Sequence, residues 1–409
     1  MTQTSSALMA CAAAALFLGA CNGSPKVDGQ GFVVDPDFEK KLQEKLLDAK
    51  AGDVIDIPAG KYALSRSLSL SARGVTIRGA GMDKTILSFA QQTSGAEGML
   101  VTGDDFTIED LAIEDTKGDA LKVNGVSNTV IRRVRAEWTG GAKTSNGGYG
   151  LYPVQVTNVL IEGCVVKGAS DAGIYVGQSK TVVVRNNRAQ GNVAGIEIEN
   201  TTSADVYGNV VSGNTGGILV FNLPDLPVPG SKTRVFKNKI AANNLANFAA
   251  PGSTVSAVSP GSGVVVNSND LVEIFDNDLT ENKTAHVIIS SYYAVGFDSK
   301  RAIAPAYDPY PENIYITGNR FAGGGADPGK RYAPLKAAVG GPLPAIVWDG
   351  YVNPQVKNPG ICVQNGEAKL LNADLPGKFA NARIDTSVDC APPSRLPPVS
   401  LRPPVSLRQ

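Results

Sequence analysis

The chain has 409 residues, and its 38 Lys and Arg balance 38 Asp and Glu, so the formal net charge at pH 7 is zero. This balance provides no basic field for holding nucleic acid, which excludes nucleic acid as a partner. The single histidine, His286, excludes a histidine-based zinc site. Glycine at 45 positions, with 6% aromatic and 19% charged residues, is typical of many short strands joined by tight turns.

The first 20 residues are predicted to be an export signal. Residues 7–20 are apolar but too few to span a membrane, and they end directly before Cys21. The sequence Leu-Gly-Ala-Cys at this point resembles a bacterial lipobox, which implies cleavage before Cys21 and lipidation of its sulfur. By the same resemblance, Asn22 implies sorting to the outer membrane of the cell envelope, with residues 21–34 as a linker. No Lys or Arg precedes the apolar run, which leaves an ordinary secretory signal as the alternative.

A helix and two strands open the mature chain. Residues 38–50 have apolar side chains at helical spacing after Pro36 and Asp37, which predicts an N-terminal capping helix. The segments GDVIDIPAGKY and GVTIRGAG follow as the first strands. This order resembles the opening of the pectin-lyase-like superfamily of β-helix proteins. That superfamily includes lyases, hydrolases, epimerases, adhesins and non-enzymes, so the resemblance implies the fold and leaves the chemistry open.

Strand-like segments then repeat, with a basic unit of about 22 residues. Aligning eight of them between residues 107 and 321 gives a column of Leu111, Val134, Cys164, Asn187, Asn209, Asn238, Asn277 and Asn319. An asparagine at each turn can hydrogen-bond its equivalent one turn further along. Because Cys164 occupies a place in this ladder, we expect it to be a buried structural thiol.

A second column of alternating strands predicts the fold. Its inward pairs are Leu121/Val123, Ile174/Val176, Ile196/Ile198, Ile218/Val220 and Val264/Val266. Two to three short strands per turn, stacked in register, predict an all-β fold, a right-handed parallel β-helix over residues 35–325. Its apolar interior is long enough to be stable without a cofactor, and we expect none.

The C-terminal part is predicted to close the solenoid. Residues 326–393 are interpreted as a C-terminal cap, and in an exported protein Cys362 and Cys390 can form a disulfide. Residues 394–409 form a duplicated proline-rich tail, which we expect to be disordered.

Insertions indicate where a binding site lies. Residues 139–149 and 245–261 precede strands of the second column, and residues 223–232 and 291–311 follow such strands, which predicts a loop-bordered groove. The residues of this sheet that point outward are Lys122, Tyr152, Tyr175, Glu197, Leu219 and Val265 in one row across the strands, with Glu199 and Phe221 in a second row beside it.

Stacked tyrosines beside charged groups suit a sugar chain, so a polysaccharide is the expected partner. The predicted substrate-binding residues are Tyr152, Asp171, Tyr175, Glu199 and Phe221. The alternative is that these cross-strand pairs only stabilise an exposed sheet.

Residues 149–154, YGLYPV, are similar to the catalytic strand of mannuronan C5-epimerases, which has the pattern Tyr-Gly-Phe-Asp-Pro-His. Tyr149, Gly150 and Pro153 match, whereas Tyr152 and Val154 replace the Asp and the His. Since two of the three reactive groups are missing, we expect binding with weak or no catalysis.

The same resemblance implies residual roles. Tyr149 would be a proton donor with Lys122 or Glu197 as the base, and Asp171 lies near the position of another functional Asp of that family. A polysaccharide lyase or C5-epimerase is therefore the alternative function.

Two other chemistries find little support. Polygalacturonase-type hydrolases need paired carboxylates and a Gly-His-Gly, whereas His286 stands in TAHVII and is expected to pack at a strand edge. Pectate lyases hold Ca²⁺ with clustered acids; Lys122 with Asp119 and Glu197 is the nearest cluster, and its acids are sparse. The acids of residues 109–119 are expected to be solvated, and no metal site is predicted.

The whole chain also resembles bacterial parallel β-helix repeat lipoproteins without assigned activity, through the segments AIVWDGY and GICVQNGEAKLLN. That resemblance implies an envelope protein acting beside a di-haem c-type cytochrome. No CxxCH occurs, so the haem would belong to the partner. A scaffold of this kind would dock its partner through the same face, on an apolar patch of Leu219, Phe221 and Val265, or through the C-terminal cap.

Overall fold

The computed structural model describes residues 26–295, 307–356, 358–385 and 390–402. The predicted export signal, with Cys21, lies outside these residues. The described chain folds as a parallel β-helix in which strands of successive coils pair in register. This is the fold class that the repeats predict.

One face of the solenoid is a sheet of twelve strands in the described residues. Its neighbours pair in parallel from coil to coil, except for the last strand, which is antiparallel. The strands are Arg66–Leu70, Ser94–Val101, Asp119–Asn124, Tyr149–Val154, Ala172–Gly177, Ala194–Glu199, Gly216–Phe221, Ser262–Asn267, Ala285–Ser290, Ile346–Trp348, Leu370–Asn372 and Arg383–Asp385.

The remaining faces form a second sheet of nineteen described strands. Two of its strands are long, Phe106–Glu114 and Ser127–Glu137, and each pairs with two separate shorter strands of a neighbouring coil. The others are Val54–Asp56, Gly60–Ala63, Thr76–Arg78, Thr85–Ser88, Thr157–Glu162, Val165–Lys167, Lys180–Arg185, Arg188–Gln190, Thr202–Tyr207, Val210–Ser212, Ser231–Phe236, Lys239–Ala241, Asp270–Phe275, Asp278–Thr280, Ile314–Thr317, Arg320–Ala322 and Cys362–Gln364.

The core is a continuous stack of aliphatic side chains inside the coils. The five inward pairs predicted from the sequence are all fully buried in this one cluster. Removing so much apolar surface from water supplies the main favourable term in folding, at about 25 cal/mol per Å². The alternation of apolar and polar residues therefore sets which face of each strand points inward.

Buried asparagines line one corner of the solenoid and form the predicted ladder. The side-chain oxygen of Asn209 accepts the backbone N–H and the Nδ2 of Asn187, at 2.9 and 3.0 Å. The same pair of bonds recurs from Asn209 to Asn238 and onward to Asn277, Asn319 and Asn365.

A second ladder, which was not predicted, runs along another corner through Asn192, Asn214, Asn243 and Asn282. Its signal is in the sequence, since each of these asparagines follows its partner of the first ladder by five residues. Cys164 is buried beside the first ladder, where its N–H donates to Asn187 Oδ1 at 2.9 Å. Burial raises the pKa of its thiol to about 12, which fits a structural thiol.

The N-terminal end is covered by the helix Phe38–Leu47, which buries Leu42 and Leu46 against the first coils. The Phe38 ring stacks on Tyr62 with centroids 3.7 Å apart. A second helix, Ala333–Val339, and the short 3-10 helices Thr254–Ala257 and Tyr292–Val295 complete the helical elements of the described residues. Neither described α-helix has the length and apolar character that a membrane span requires.

The solenoid continues past residue 325, where the predicted C-terminal cap begins. The strands Ile346–Trp348 and Leu370–Asn372 extend the twelve-stranded sheet, and Cys362–Gln364 extends the nineteen-stranded sheet. Cys362 and Cys390 form a disulfide, the pairing that the sequence allows. The part of the cap that leaves the solenoid is mainly the helix Ala333–Val339, which packs on the outside of the twelve-stranded sheet.

Two expectations about polar segments are wrong. The acids of residues 109–119 are not generally solvated, because Glu109 and Glu114 are buried and paired with arginines of neighbouring coils. The tail is not disordered over residues 394–402, where it lies along the nineteen-stranded sheet and hydrogen-bonds several coils. Both differences arise because the partner residues are distant in sequence.

Candidate functional site

Acidic and aromatic side chains of four successive coils meet on the outer face of the twelve-stranded sheet. Parallel register places Leu151 beside both Leu121 and Ile174, so the ends of these strands lie one above another. The accessible part of this cluster contains four half-buried residues, Asp119, Tyr149, Tyr152 and Asp171. We call these four residues, with the buried Tyr175, Glu197 and Glu199 beside them, the tyrosine–acid site.

The three tyrosines pack against one another. The ring of Tyr149 lies 4.4 Å from that of Tyr152 and 4.7 Å from that of Tyr175, measured between centroids. Tyr152 and Tyr175 meet edge to face at 5.0 Å. Such pairs fix ring orientation and contribute about 0.5–1.5 kcal/mol each beyond their buried area. The half-buried rings of Tyr149 and Tyr152 therefore form a rigid surface.

Asp119 and Asp171 lie on either side of Gly148, which ends the inserted loop. A side chain at Gly148 would lie 3.4 Å from Asp119 Oδ1 and 3.8 Å from Asp171 Cβ. Asp119 Oδ1 accepts the backbone N–H of Tyr149 at 3.1 Å, and the N–H of Asp171 donates to the Gly148 carbonyl at 3.0 Å. The absence of a side chain at Gly148 leaves open the space beside Asp119 Oδ1 and Asp171 Cβ.

Both carboxyl groups have raised pKa values. Burial raises the pKa of Asp119 to about 6, against the opposing effects of the Tyr149 N–H and of Lys122. Burial, followed by the charges of Glu199 and Asp119, raises the pKa of Asp171 to about 7, although the Tyr149 side chain hydrogen-bonds it. Both acids are therefore partly protonated between about pH 6 and pH 7, so the form in which one holds a proton and the other is ionised is populated there, which is the condition for acid–base catalysis.

Two more carboxyl groups lie under the tyrosines. Glu199 Oε1 accepts the Tyr175 hydroxyl at 2.6 Å, and Glu197 Oε2 is buried without a hydrogen-bond partner. Burial and the charges of Asp171 and Glu199 raise the pKa of Glu197 well above its usual range. Burial also raises the pKa of Glu199. Both carboxyl groups therefore keep their protons to a higher pH than exposed glutamates do.

The roles predicted for this second layer need correction. Tyr175, Glu197 and Glu199 are all buried, so Glu197 is not an accessible base, and Tyr175 and Glu199 do not present a binding surface to solvent. Burial and the charges of Asp171 and Glu197 also raise the pKa of Tyr149. A tyrosine in this state keeps its proton, so it serves as a hydrogen-bond donor and is a weaker acid than an exposed tyrosine.

Lys122, the other predicted base, already has partners. Its Nζ lies 3.6 Å from Glu97 Oε1 and 5.1 Å from the centre of the Tyr152 ring. Lys122, whose charge lowers the pKa of Asp119, is thus shared between the tyrosine–acid site and Glu97. The site as a whole is strongly acidic.

The C-terminal half of the predicted groove is filled by the protein itself. Phe221, Leu219 and Val265 are buried in a second apolar cluster with Val255 and Leu335. These covering residues come from the loop at 245–261 and from the second helix. A cavity of about 40 Å³ remains beside Phe221, enough for about one water molecule.

This closure overturns two predictions. Phe221 is not available as a substrate-binding residue, and the expected exposed apolar patch at Leu219, Phe221 and Val265 is wrong. In the described residues, the first of the two surfaces predicted to dock a c-type cytochrome is therefore covered, and docking through the C-terminal cap stays a prediction.

His286 has a structural environment. Its Nε2 lies 2.7 Å from the Gly323 carbonyl, so Nε2 is the donor and Nδ1 accepts Asn282 Nδ2 at 3.2 Å. The ring is buried and stacks on Phe321. Burial lowers the pKa of His286, so it extends the second asparagine ladder as a neutral imidazole.

Asp119 is the accessible residue whose role the sequence did not reveal. Its position in the repeat could have indicated it, because Leu121 and Leu151 are paired and Asp119 precedes Leu121 by two residues, as Tyr149 precedes Leu151. Sequence reasoning grouped it with Lys122 and Glu197, whereas the structure pairs it with Asp171 across Gly148. No group of three or more His, Cys, Asp or Glu residues in the described chain is arranged to hold a metal ion.

The raised pKa of Asp171 predicts a pH-dependent stability. The folded state keeps a proton that the unfolded chain releases above about pH 4, so the contribution of Asp171 to the free energy of unfolding falls as pH rises from about 4 to about 7 and then levels off. Asp171→Asn should remove this slope and stabilise the protein at pH 8 by on the order of 2–4 kcal/mol. Urea denaturation at pH 5 and pH 8 measures both effects.

The exposed Asp83 provides the matched control. Asp83→Asn should keep the wild-type slope between the two pH values. Equal slopes in wild type and in Asp171→Asn would contradict a raised pKa at Asp171.

Known proteins share this architecture. A family model described as right handed beta helix region matches residues 69–203 and 143–302. The A-module of the mannuronan C-5 epimerase AlgE4 from Azotobacter vinelandii is similar in structure, with a TM-score of 0.53 and 19% identity over 80% of this chain and 90% of that chain. Together these findings confirm the predicted right-handed parallel β-helix of the pectin-lyase-like kind.

Two further solved structures are more distant. The A-module of AlgE6, also a mannuronan C-5 epimerase of Azotobacter vinelandii, has a TM-score of 0.47 and 17% identity over 77% of this chain and 84% of that chain. DFA-IIIase from Arthrobacter chlorophenolicus A6, without its lid and in complex with GF2, has a TM-score of 0.48 and 10% identity over 70% and 84%. No curated protein matches the sequence.

Proposed function

Because the chain belongs to the right-handed β-helix family, we propose that it binds a neutral carbohydrate chain on the tyrosine–acid site and hydrolyses its glycosidic bonds. The observation that carries this proposal is the pair of half-buried carboxyl groups, Asp119 and Asp171, on either side of Gly148. Glycoside hydrolysis needs two carboxyl groups in different protonation states flanking one bond.

The pKa values assign the two roles. Asp171, with a pKa raised to about 7, is protonated for part of the time at neutral pH and donates its proton to the leaving oxygen. Asp119, with a pKa of about 6, is the more ionised of the two and accepts the proton of the attacking water. Tyr149, whose pKa is raised, keeps its proton and hydrogen-bonds Asp171.

The rings of Tyr149 and Tyr152 supply the binding surface. Sugar rings place their C–H faces on aromatic rings, and the half-buried tyrosines present such faces next to the two acids. The solved relatives named above include enzymes whose names refer to mannuronan and to DFA-III, which is compatible with a carbohydrate ligand.

The charge of the site favours a neutral sugar over a uronate. A substrate carboxylate would approach Asp119, which is ionised in the proposed active form, and like charges repel strongly in a desolvated site. Lys122, which could compensate, is shared with Glu97. Hydrolysis of a neutral glycan therefore fits this site better than the lyase and epimerase alternatives, which act on uronates.

Oligosaccharide binding tests the proposal. We expect a neutral oligosaccharide to bind with micromolar to millimolar affinity, and Tyr152→Ala to weaken it by about tenfold, which is about 1.4 kcal/mol. Glycan-array binding followed by calorimetry measures this. Tyr207, a half-buried tyrosine stacked on Phe236 of the other sheet, gives the control Tyr207→Ala, which should leave affinity unchanged.

Two results would contradict the proposal. One is preferential binding of alginate or pectin over every neutral glycan. The other is equal loss of affinity in Tyr152→Ala and Tyr207→Ala, which would place the ligand elsewhere.

The cellular location of the protein is also a proposal, and it is based on the sequence. The apolar residues 7–20 before Cys21 support an exported protein that is anchored by lipid to the cell envelope. Metabolic labelling of cells with a fatty acid, compared between wild type and Cys21→Ser, tests that proposal independently of the carbohydrate site.

A further inference from the structure

A proline-rich segment lies across the outer face of the nineteen-stranded sheet. Residues 395–402 run along the solenoid axis, from the strand Asp270–Phe275 toward the strand Thr157–Glu162. The backbone N–H of Leu396 donates to Glu273 Oε1 at 2.7 Å. The N–H of Val399 donates to Asp205 Oδ2 at 3.1 Å.

The next contact follows after the same interval. The N–H of Arg402 donates to Asn158 Oδ1 at 2.8 Å, and Asn158 Nδ2 returns a bond to the Arg402 carbonyl at 2.6 Å. Side chains of the sheet therefore bind the backbone of every third residue of the segment, at positions 396, 399 and 402.

This interval matches a structural repeat of the sheet. Glu273 and Asp205 are two rungs apart, since each pairs with Arg234 between them. Two rungs span about 9.6 Å, at about 4.8 Å per strand. One turn of a polyproline II helix is three residues and about 9.3 Å. A polyproline II segment that runs along the axis therefore turns the same side of its own helix toward the sheet once every two coils.

The side chains reinforce this register. Leu396 and Val399 are half-buried against the sheet, whereas Pro397 and Pro398 between them are exposed. Prolines at these two positions cost no hydrogen bond and hold the polyproline II backbone in advance of binding. Arg395 pairs with Glu273 at 3.0 Å, and its guanidinium lies 4.1 Å from the centre of the Phe275 ring.

The binding groups lie in a buried polar row, to which this segment supplies hydrogen-bond donors from outside the sheet. Glu273, Asp205 and Asn158 are each less than 9% exposed with the segment in place. Arg234, between the two acids, lies 3.2 Å from Asp205 and donates to the Leu396 carbonyl at 3.2 Å. Buried carboxylates that lack their donors are costly, so the row favours an occupant with N–H groups at this spacing.

We propose that this row, from Glu273 to Asn158, is a recognition site for proline-rich peptides in the polyproline II conformation, filled in this structure by the chain's own residues 395–402. The site is separate from the carbohydrate site, which lies on the other sheet. Its occupant is defined by backbone N–H groups at every third residue and by prolines between them, with an arginine at the N-terminal end.

Peptide binding to full-length protein tests the proposal. Leu396→Asp with Val399→Asp places new acids beside Glu273 and Asp205, and like-charge repulsion should release the chain's own segment. A fluorescent peptide of sequence SRLPPVSLR should then bind this released variant at least tenfold more tightly than it binds wild type, whose site is filled. Fluorescence anisotropy measures the difference.

Two controls distinguish specific recognition of the peptide from non-specific binding. The peptide SRLGGVSLR, which lacks the polyproline II preference, should bind the released variant at least tenfold more weakly. Adding Glu273→Gln and Asp205→Asn to the released variant should weaken SRLPPVSLR to a similar degree. Equal binding of both peptides, or equal binding to wild type and to the released variant, would overturn the proposal.

Proteolysis gives a second measurement that needs no added peptide. Trypsin cuts after arginine, and the Arg395–Leu396 bond is held against the sheet. In Glu273→Gln with Asp205→Asn, cleavage at this bond should accelerate at least tenfold while the solenoid stays intact. An unchanged rate of cleavage would also overturn the proposal.

Discussion

Asp171→Asn is expected to lower kcat for glycoside hydrolysis by about 10²–10⁴-fold, which is the usual contribution of a general acid. The amide is close in size to the carboxyl group, and the backbone bonds of Asp171 to Gly148 and Ala194 remain, but an amide has no acidic proton to donate at neutral pH. KM should change little, because Tyr149 and Tyr152 keep their positions. Reducing-end assays on a neutral oligosaccharide that binds the protein measure both constants.

The same roles of Asp119 and Asp171 predict how the rate of hydrolysis depends on pH. Asp119 must be ionised and its pKa is about 6, whereas Asp171 must be protonated and its pKa is about 7. The rate should therefore be greatest between about pH 6 and pH 7 and fall on both sides. Asp171→Asn should remove the fall on the alkaline side from what activity remains.

Asp83→Asn is the matched control for activity as well, because Asp83 is an exposed aspartate outside the tyrosine–acid site. It should keep wild-type kcat. Thermal unfolding of both variants shows whether they are folded. A folded Asp171→Asn protein with wild-type kcat would show that Asp171 is not the acid.

Asn238→Ala should lower the free energy of unfolding by about 3–5 kcal/mol. The substitution removes the acceptor of two bonds from Asn209, at 3.0 and 2.9 Å, and the donor to the Val206 carbonyl at 2.9 Å. Each buried polar group left without a partner costs about 1–3 kcal/mol. Chemical denaturation measures the change, together with the m-value that reports on two-state behaviour.

A substitution in the second asparagine ladder provides a comparison for Asn238→Ala, and a substitution of an exposed asparagine provides the control. Asn243→Ala removes the equivalent bonds to Asn214 and Val211, so its effect should be similar. The exposed Asn124 gives Asn124→Ala, which should change stability by less than about 0.5 kcal/mol. A loss below 1 kcal/mol in Asn238→Ala would mean that water or a local shift replaces the lost bonds.

The separation of the two proposed sites allows them to be tested independently. Substitutions at Asp171 and Tyr152 alter the twelve-stranded sheet, whereas those at Glu273 and Asp205 alter the nineteen-stranded sheet. Single changes at positions this far apart usually have additive effects. Loss of one activity should therefore leave the other in place.

The parallel β-helix itself follows from the sequence alone. Inward residues such as Ile196 and Ile218 recur once per coil and pair directly across rungs, so a periodic pattern specifies both the strand and its register. The asparagine ladder is equally readable, because Asn209 and Asn238 each satisfy the neighbouring coil in the same way. Interactions that repeat at a fixed interval leave a repeat in the sequence.

Only the tertiary structure decided which outward residues stay accessible. Tyr152 and Phe221 lie on the same face of the same sheet and both fit a binding surface, yet Tyr152 is half-buried and Phe221 is buried. The difference comes from Val255 and Leu335, which pack over Phe221 from segments that do not follow the repeat. The raised pKa of Asp171 has a similar origin, since it depends on burial by neighbouring coils and on the charges of Glu199 and Asp119. Burial and charge proximity depend on contacts between distant segments, and such contacts have no period that a sequence pattern can display.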